Sequence, residues 1–106
     1  MQMLHRVLET IHQRIASGDT DSSYVASLVQ KGEDQILKKI GEETTEVVLA
    51  AKGQDRAALV HELTDLWFHC LVLMAGKEIF LEDIDNELKK RFGQSGIEEK
   101  ASRIKP

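Results

Sequence analysis

Apolar residues recur along this chain every three to four positions, in blocks separated by glycine and short polar runs, and that rhythm predicts one helix after another. Met3, Val7, Leu8, Ile11 and Ile15 share a face of a helix expected over 3–16, which Ser17-Gly18-Asp19 ends. Ser22 or Ser23 can cap a short helix over 24–30, with Lys31-Gly32 as its break. A longer helix over 33–52 carries Ile36, Leu37, Ile40, Thr44, Val47, Val48 and Ala51 as one stripe, closed by Gly53. The next is expected over 55–75, stopping at Gly76, and a last one over 81–92 precedes a polar tail from about 93 to 106. Proline is absent until Pro106, and no stretch alternates with the period of a strand. The expected fold is therefore all-α, a helical bundle in a single domain spanning 1–106.

Acidic residues then stand out on the two longest helices. Glu42, Glu43 and Glu46 crowd one, with Lys39 projecting among them, because each residue advances about 100° around the axis. On the other, Glu62, Asp65 and His69 share an arc of about 60°, while Leu59, Leu63, Leu66, Trp67, Cys70, Leu71 and Met74 occupy the opposite side. Each helix is thus expected to carry an acidic strip beside a core-facing strip, and packing the apolar faces would bring the acids towards each other. A hard divalent cation takes carboxylate oxygens in number, so the pair of strips is a candidate magnesium cage. The same spacing also occurs on ordinary solvated helix faces. Lys39 and Lys38 are candidate grips for phosphate, and Lys39 with Glu43 also fits a plain i,i+4 surface pair. His69, alone on a packed helix, fits a hydrogen-bonded supporting group better than an active one.

Other metal chemistries fail on spacing. After His61-Glu62, Asp65 stands where a zinc protease motif needs its second histidine, and Glu-x-x-His of carboxylate-bridged di-iron bundles is not formed by Glu62 or Asp65. There is no Gly-rich Walker loop, so a nucleotide would be held through its metal and basic side chains.

Composition narrows the remaining classes. With 106 residues, 42% hydrophobic and 30% charged, the chain reads as a soluble globular protein, and its net charge of −4 with no broad basic face disfavours nucleic acid as a partner. No unbroken apolar run approaches the ~20 residues of a membrane span, and the N-terminus lacks a signal-peptide pattern, so a cytoplasmic location without membrane attachment is expected. The lone Cys70 is expected to be a small buried core residue. Phe68 and Val72 extend the apolar surface of their helix towards a further side, more than one short chain can cover, so a homodimer or larger homo-oligomer is expected.

The stretch from Ser23-Tyr24-Val25-Ala26 to Gly32-Glu33-Asp34, then Ile36 to Glu43 with Glu46, then Glu62-x-x-Asp65-Leu66-x-x-His69, resembles phosphoribosyl-ATP pyrophosphohydrolase. The similarity continues through Leu81-Glu82-Asp83-Ile84 and Glu87-Leu88-x-x-Arg91, covering the chain from Leu4 to Arg91. The acidic motifs alone resemble the wider all-α nucleoside triphosphate pyrophosphohydrolases, and the flank from Ser23 to Lys39 narrows the likeness. Thr64 departs from a usual small apolar residue, and Trp67-Phe68 from a usual Leu-Tyr. The resemblance implies magnesium-dependent hydrolysis of 1-(5-phospho-β-D-ribosyl)-ATP at its α–β phosphoanhydride, the second step of histidine biosynthesis. By position in the motif it implies Glu43, Glu46, Glu62 and Asp65 as magnesium ligands, with Glu42 as a further ligand or the base that orients water. Arg91 and the tail residues Lys100, Arg103 and Lys105 are weaker candidates for closing over phosphates. The rivals are a house-cleaning enzyme acting on other nucleoside triphosphates and a non-enzymatic helical interaction module.

Overall fold

A computed structural model describes residues 2–93, and among them every regular element is an α-helix: α1 (Gln2–Ser17), α2 (Tyr24–Lys31), α3 (Glu33–Lys52), α4 (Arg56–Gly76) and α5 (Leu81–Phe92). The tail cations Lys100, Arg103 and Lys105 lie outside the described residues.

Local chemistry sets the helix ends. The Ser23 hydroxyl accepts from the Ala26 N–H at 3.1 Å and starts α2, and the Asp55 carboxylate does the same for Ala58 at the start of α4. Gly18, at φ +64°, closes α1 with its N–H donated to the Arg14 carbonyl. Gly32, at φ +102°, ends α2 and lets α3 begin one residue later, in a backbone region that side chains rarely tolerate. Gly53 closes α3 as expected, its N–H donated to the Leu49 carbonyl. It stays in the right-handed helical region at φ −74°, and the left-handed turn falls on Gln54, at φ 60°. Likewise Gly76 is the last residue of α4, and Glu78 takes the positive φ before α5.

The core is built from Leu8 and Ile11 of α1, Val25 and Leu28 of α2, Ile36 of α3, and Leu71, Val72 and Ala75 of α4, with Leu81 of α5 packed at its edge. Val72 and Ile11 are the most completely enclosed side chains. α3 and α4 pair most extensively, while α1 and α2 cover the C-terminal half of α4. α5 has no buried residue, and His12 of α1 stacks on Phe80 just before it, with ring centroids 6.0 Å apart.

The faces turn out rotated from those the sequence suggested. On α3, Leu37, Val48, Thr44 and Ala51 are exposed, and the inward line is Ile36, Ile40, Glu43 and Val47. On α4, Leu63 and Trp67 face outwards, whereas Val72, predicted for a further side, is its most buried residue, and Cys70 is only half-buried. Asp65, Phe68, His69 and Val72 fall within about 100° of one another, so Asp65 lies on the core-facing line of α4, as buried Glu43 does on α3, while Glu42 and Glu46 stay exposed.

Much apolar surface stays open. α4, with 21 residues and a mean hydropathy of 1.3 over its most apolar window, is long and apolar enough by length and composition to cross a bilayer, which a search for unbroken apolar runs overlooks because Glu62 and Asp65 interrupt it. Only 17% of that window is buried. Met3, Leu4 and Val7 of α1 and Val60, Leu63 and Trp67 of α4 line an apolar groove of about 450 Å³. The radius of gyration, 17.0 Å, exceeds the roughly 13 Å of a compact chain of this length.

Ile11→Ala should cost about 2–5 kcal/mol in a urea unfolding experiment, since it empties a site 1% exposed. A loss below about 1 kcal/mol would move the centre of the core away from α1.

Candidate functional site

The pairing of α3 with α4 brings two sets of charged side chains into one region. On α3, Glu43 is buried, and a buried carboxylate needs a countercharge. Lys39, one turn earlier, supplies it, with Nζ 3.7 Å from Glu43 Oε1 and 3.4 Å from Glu42 Oε2. Partial burial pulls the Lys39 ammonium pKa down, but the Tyr24 phenol oxygen, Glu42 and Glu43 together outweigh it and raise the value, which keeps the amine charged. Glu42 and Glu46 are exposed, and Lys38 is exposed without joining the Lys39 ion pairs.

On α4, His61, Glu62 and Asp65 hold ligand atoms within 4.8 Å of one another, the one such group of three among the described residues. His61 Nε2 lies 3.3 Å from Asp65 Oδ2. The Glu62 carboxyl pKa is raised, first by loss of solvent around it and then by the negative charges of Asp65, Glu43 and Glu46, with His61 opposing. Glu43 and Glu46 therefore reach Glu62 electrostatically across the helix pair, yet no ligand group spans α3 and α4 at 4.8 Å. The geometry is two half-sites that face each other.

His69, 5% exposed, lies one turn beyond Asp65 and carries no acid. Its Nδ1 is 2.8 Å from the Asp65 carbonyl, which can only accept, so that nitrogen holds the proton. In the neutral ring Nε2 is then the acceptor, and the Tyr24 hydroxyl, 3.0 Å away, donates to it. Tyr24 also stands edge-on to the His69 ring and stacks on Phe68 at 6.4 Å. Arg91, at the far end of α5, is occupied by Glu87 at 3.0 Å.

Two residues of this region escaped sequence reasoning. His61 has a local signal, its i,i+4 spacing to Asp65, hidden by weighing it only as part of a zinc motif. Tyr24 stands in the stretch that carries the family resemblance, but nothing local points to its partner, which lies 45 residues away.

The family model for phosphoribosyl-ATP pyrophosphohydrolase matches residues 4–92 of this chain. Among curated relatives, the phosphoribosyl-ATP pyrophosphatase of Methylococcus capsulatus is 53% identical over 103 residues, 97% of each chain. That of Geobacter metallireducens is 54% identical over 103 residues, 97% of this chain and 94% of the relative. That of Vesicomyosocius okutanii is 51% identical over 96 residues, 91% of each.

The crowding around Glu62 has a sign that can be measured. A carboxyl whose folded pKa exceeds its unfolded one favours folding when protonated, so its contribution is complete below the unfolded value and lost as pH rises through the folded one. Glu62→Gln imitates the protonated group at every pH. Without divalent cations it should melt higher than the unsubstituted protein at neutral pH, and the gap should close as pH falls to the ordinary glutamate range and below. A gap that widens on acidification would contradict the raised pKa.

Proposed function

The chain belongs to the phosphoribosyl-ATP pyrophosphohydrolase family, and from that premise we propose that it hydrolyses 1-(5-phospho-β-D-ribosyl)-ATP to phosphoribosyl-AMP and pyrophosphate, the second step of histidine biosynthesis, in the cytoplasm. One observation carries the reading: a family match over residues 4–92 that includes two acidic half-sites facing each other across α3 and α4. In this reaction one water is consumed, the bond from the α-phosphorus to the bridging oxygen breaks, and that oxygen leaves with pyrophosphate.

The donor set fits magnesium. Glu43, Glu46, Glu62 and Asp65 offer carboxylate oxygens, as a hard cation requires, and the Glu62 pKa, raised first by loss of solvent and then by the neighbouring acids, marks a charge that a cation would stabilise. When bound there, magnesium would neutralise charge on the phosphate oxygens. The chain's own side chains do the rest. Lys39, charged and held between Glu42 and Glu43, turns towards a phosphate oxygen, and Lys38 stands beside it as a more exposed cation. Glu42, exposed and bonded only to Lys39, is free to accept a proton from the attacking water. His69 works indirectly: its Nδ1–H grips the backbone carbonyl of Asp65 and so fixes that turn of α4.

The open apolar groove supports a second copy of the chain as partner. Val60, Leu63 and Trp67 present a face too large to leave in water, on a protein less compact than its length allows. All the described helices share one core or its edge, so we treat the chain as one domain within that assembly.

The assay is pyrophosphate release from phosphoribosyl-ATP and, separately, from ordinary nucleoside triphosphates with magnesium present. Turnover of phosphoribosyl-ATP is expected, and Glu46→Gln or Asp65→Asn should lower it on the order of 100-fold or more while far-ultraviolet dichroism is unchanged. Turnover of the ordinary triphosphates alone would reassign the substrate, and near-normal rates in both variants at low magnesium would reject these ligands. Sedimentation at micromolar concentration should give a dimer or larger species, and Leu63→Asp should shift it towards monomer. A monomer before substitution would refute the partner.

A further inference from the structure

A second pocket adjoins the acidic region on the opposite side of Tyr24. It lies between α1 and the start of α2, encloses about 400 Å³, and is lined by Arg6, Thr10 and Arg14 on one wall and by Ser22, Tyr24 and Phe68 on the other. Arg6, Thr10 and Arg14 recur every four residues, so they form one polar ridge along α1. The lining carries two guanidinium groups and no carboxylate, in a chain of net charge −4. Neither guanidinium makes an ion pair among the described residues. Arg14 helps lower the Asp19 carboxyl pKa only as the smallest of its causes, and that carboxylate is taken first by the Ser22 hydroxyl and backbone N–H. Opposite the arginines, Tyr24 and Phe68 are stacked with an interplanar angle of 28°.

Tyr24 is the partition between this pocket and the acidic half-sites. Its ring lines the pocket, and its hydroxyl is on His69, one turn from Asp65. Phe68 is only three residues beyond Asp65, about 4.5 Å along the helix axis. A ligand whose phosphates sit over Glu62 and Asp65 would find the pocket within the length of a nucleoside.

The substrate taken above has two anionic ends. One is the triphosphate, and the other is the phosphomonoester of the ribose joined to the purine. The carboxylates of α3 and α4 repel the second phosphate, so it needs a positive site of its own, away from them. We propose that the pocket between α1 and α2 is that site, with the guanidinium groups of Arg6 and Arg14 holding the distal phosphomonoester and Tyr24 and Phe68 lying against the purine. Arginine suits the task because its planar fork can bond two phosphate oxygens at once. The pocket then acts as the specificity filter: ordinary ATP has no group to place between the arginines. This inference rests on the substrate proposed above.

Its test compares ligands that differ only in the arm. Titration calorimetry with phosphoribosyl-AMP and with AMP should show the first binding at least about tenfold more tightly to the unsubstituted protein. Arg6→Gln combined with Arg14→Gln should abolish that advantage and leave AMP binding unchanged, while Arg6→Lys with Arg14→Lys should keep part of it. Both arginines are exposed, and far-ultraviolet dichroism checks that the helices persist. In kinetics the glutamine pair should raise KM for phosphoribosyl-ATP about tenfold or more with little change in kcat. Equal binding of the two nucleotides by the unsubstituted protein, or an advantage that survives the glutamine pair, would overturn the pocket. The reading beneath it fails differently: an unsubstituted protein that does not turn over phosphoribosyl-ATP refutes the proposed function, whereas normal turnover with an unmoved KM in the glutamine pair refutes only the arginine site.

Discussion

The hydrogen bond from the Tyr24 hydroxyl to His69 is the constraint around which the other parts of this small helical protein are arranged. A histidine 5% exposed must have both ring nitrogens satisfied, since an unpaired buried polar atom costs roughly 1–3 kcal/mol. The Asp65 carbonyl takes one, and Tyr24 alone meets the other. That fixes where α2 begins, and Ser23 caps it there, making Tyr24 the first helical residue. Because Gly32 turns the chain within a single residue, the start of α2 also determines where α3 sets out along α4. Lys39 then comes within reach of the Tyr24 oxygen, and Glu43 falls opposite the acids of α4. One bond between residues 45 positions apart thus couples the core to the charged region.

Helix ends and the inward face of α1 were legible in the chain, and the faces of α3 and α4 only in part. Ends are written locally: Ser23 and Asp55 cap α2 and α4 on backbone groups three residues on, Gly32 separates α2 from α3, and Asp83 reaches back to the Phe80 N–H at the start of α5. Faces depend on what lies opposite. α3 has more apolar residues than one neighbour can cover, so the single broad stripe expected from Ile36 to Ala51 splits when α4 arrives into an inward line, Ile36, Ile40 and Val47, and an exposed line, Leu37, Val48 and Ala51. The inward line passes through Glu43. On α4 the apolar residues encircle the helix, and no periodic argument could single out Val72 over Trp67.

That rotation alters how the charged region is understood. Acids on strips beside the core would be surface features that the fold could ignore. Glu43, buried on the core-facing line of α3, takes a place that an apolar side chain would fill, and the fold bears that cost, while Asp65 keeps 41% of its side chain exposed. Pairing α3 with α4 takes solvent from Glu62 and brings Glu43 and Glu46 towards it, and both effects raise its pKa and oppose closure at that end of the hairpin. At the other end Leu71 and Val72, at 5% and 0% exposure, each contribute about 1.5–3 kcal/mol by burial. Exposed carboxylates are screened over distances near a Debye length of about 8 Å, whereas aliphatic burial is not. The core therefore prevails, and the acids are held in a position they would not choose.

The same division explains why α4 leaves so much of itself open. Its C-terminal half is anchored by α1, α2 and α3, and its N-terminal half, from Arg56 to about Leu66, packs on α3 and meets α1 only across the open apolar groove. A helix held at one end keeps its direction through its own backbone hydrogen bonds, so Glu62 and Asp65 can be presented without a surrounding shell of this chain's side chains. What the helix cannot do alone is hide Val60, Leu63 and Trp67, which stand on the side away from the acids. A second copy covering that side would bury apolar surface without touching the carboxylates. The proposed assembly and the placement of charge thus call on opposite faces of one helix, so that each could be strengthened without weakening the other.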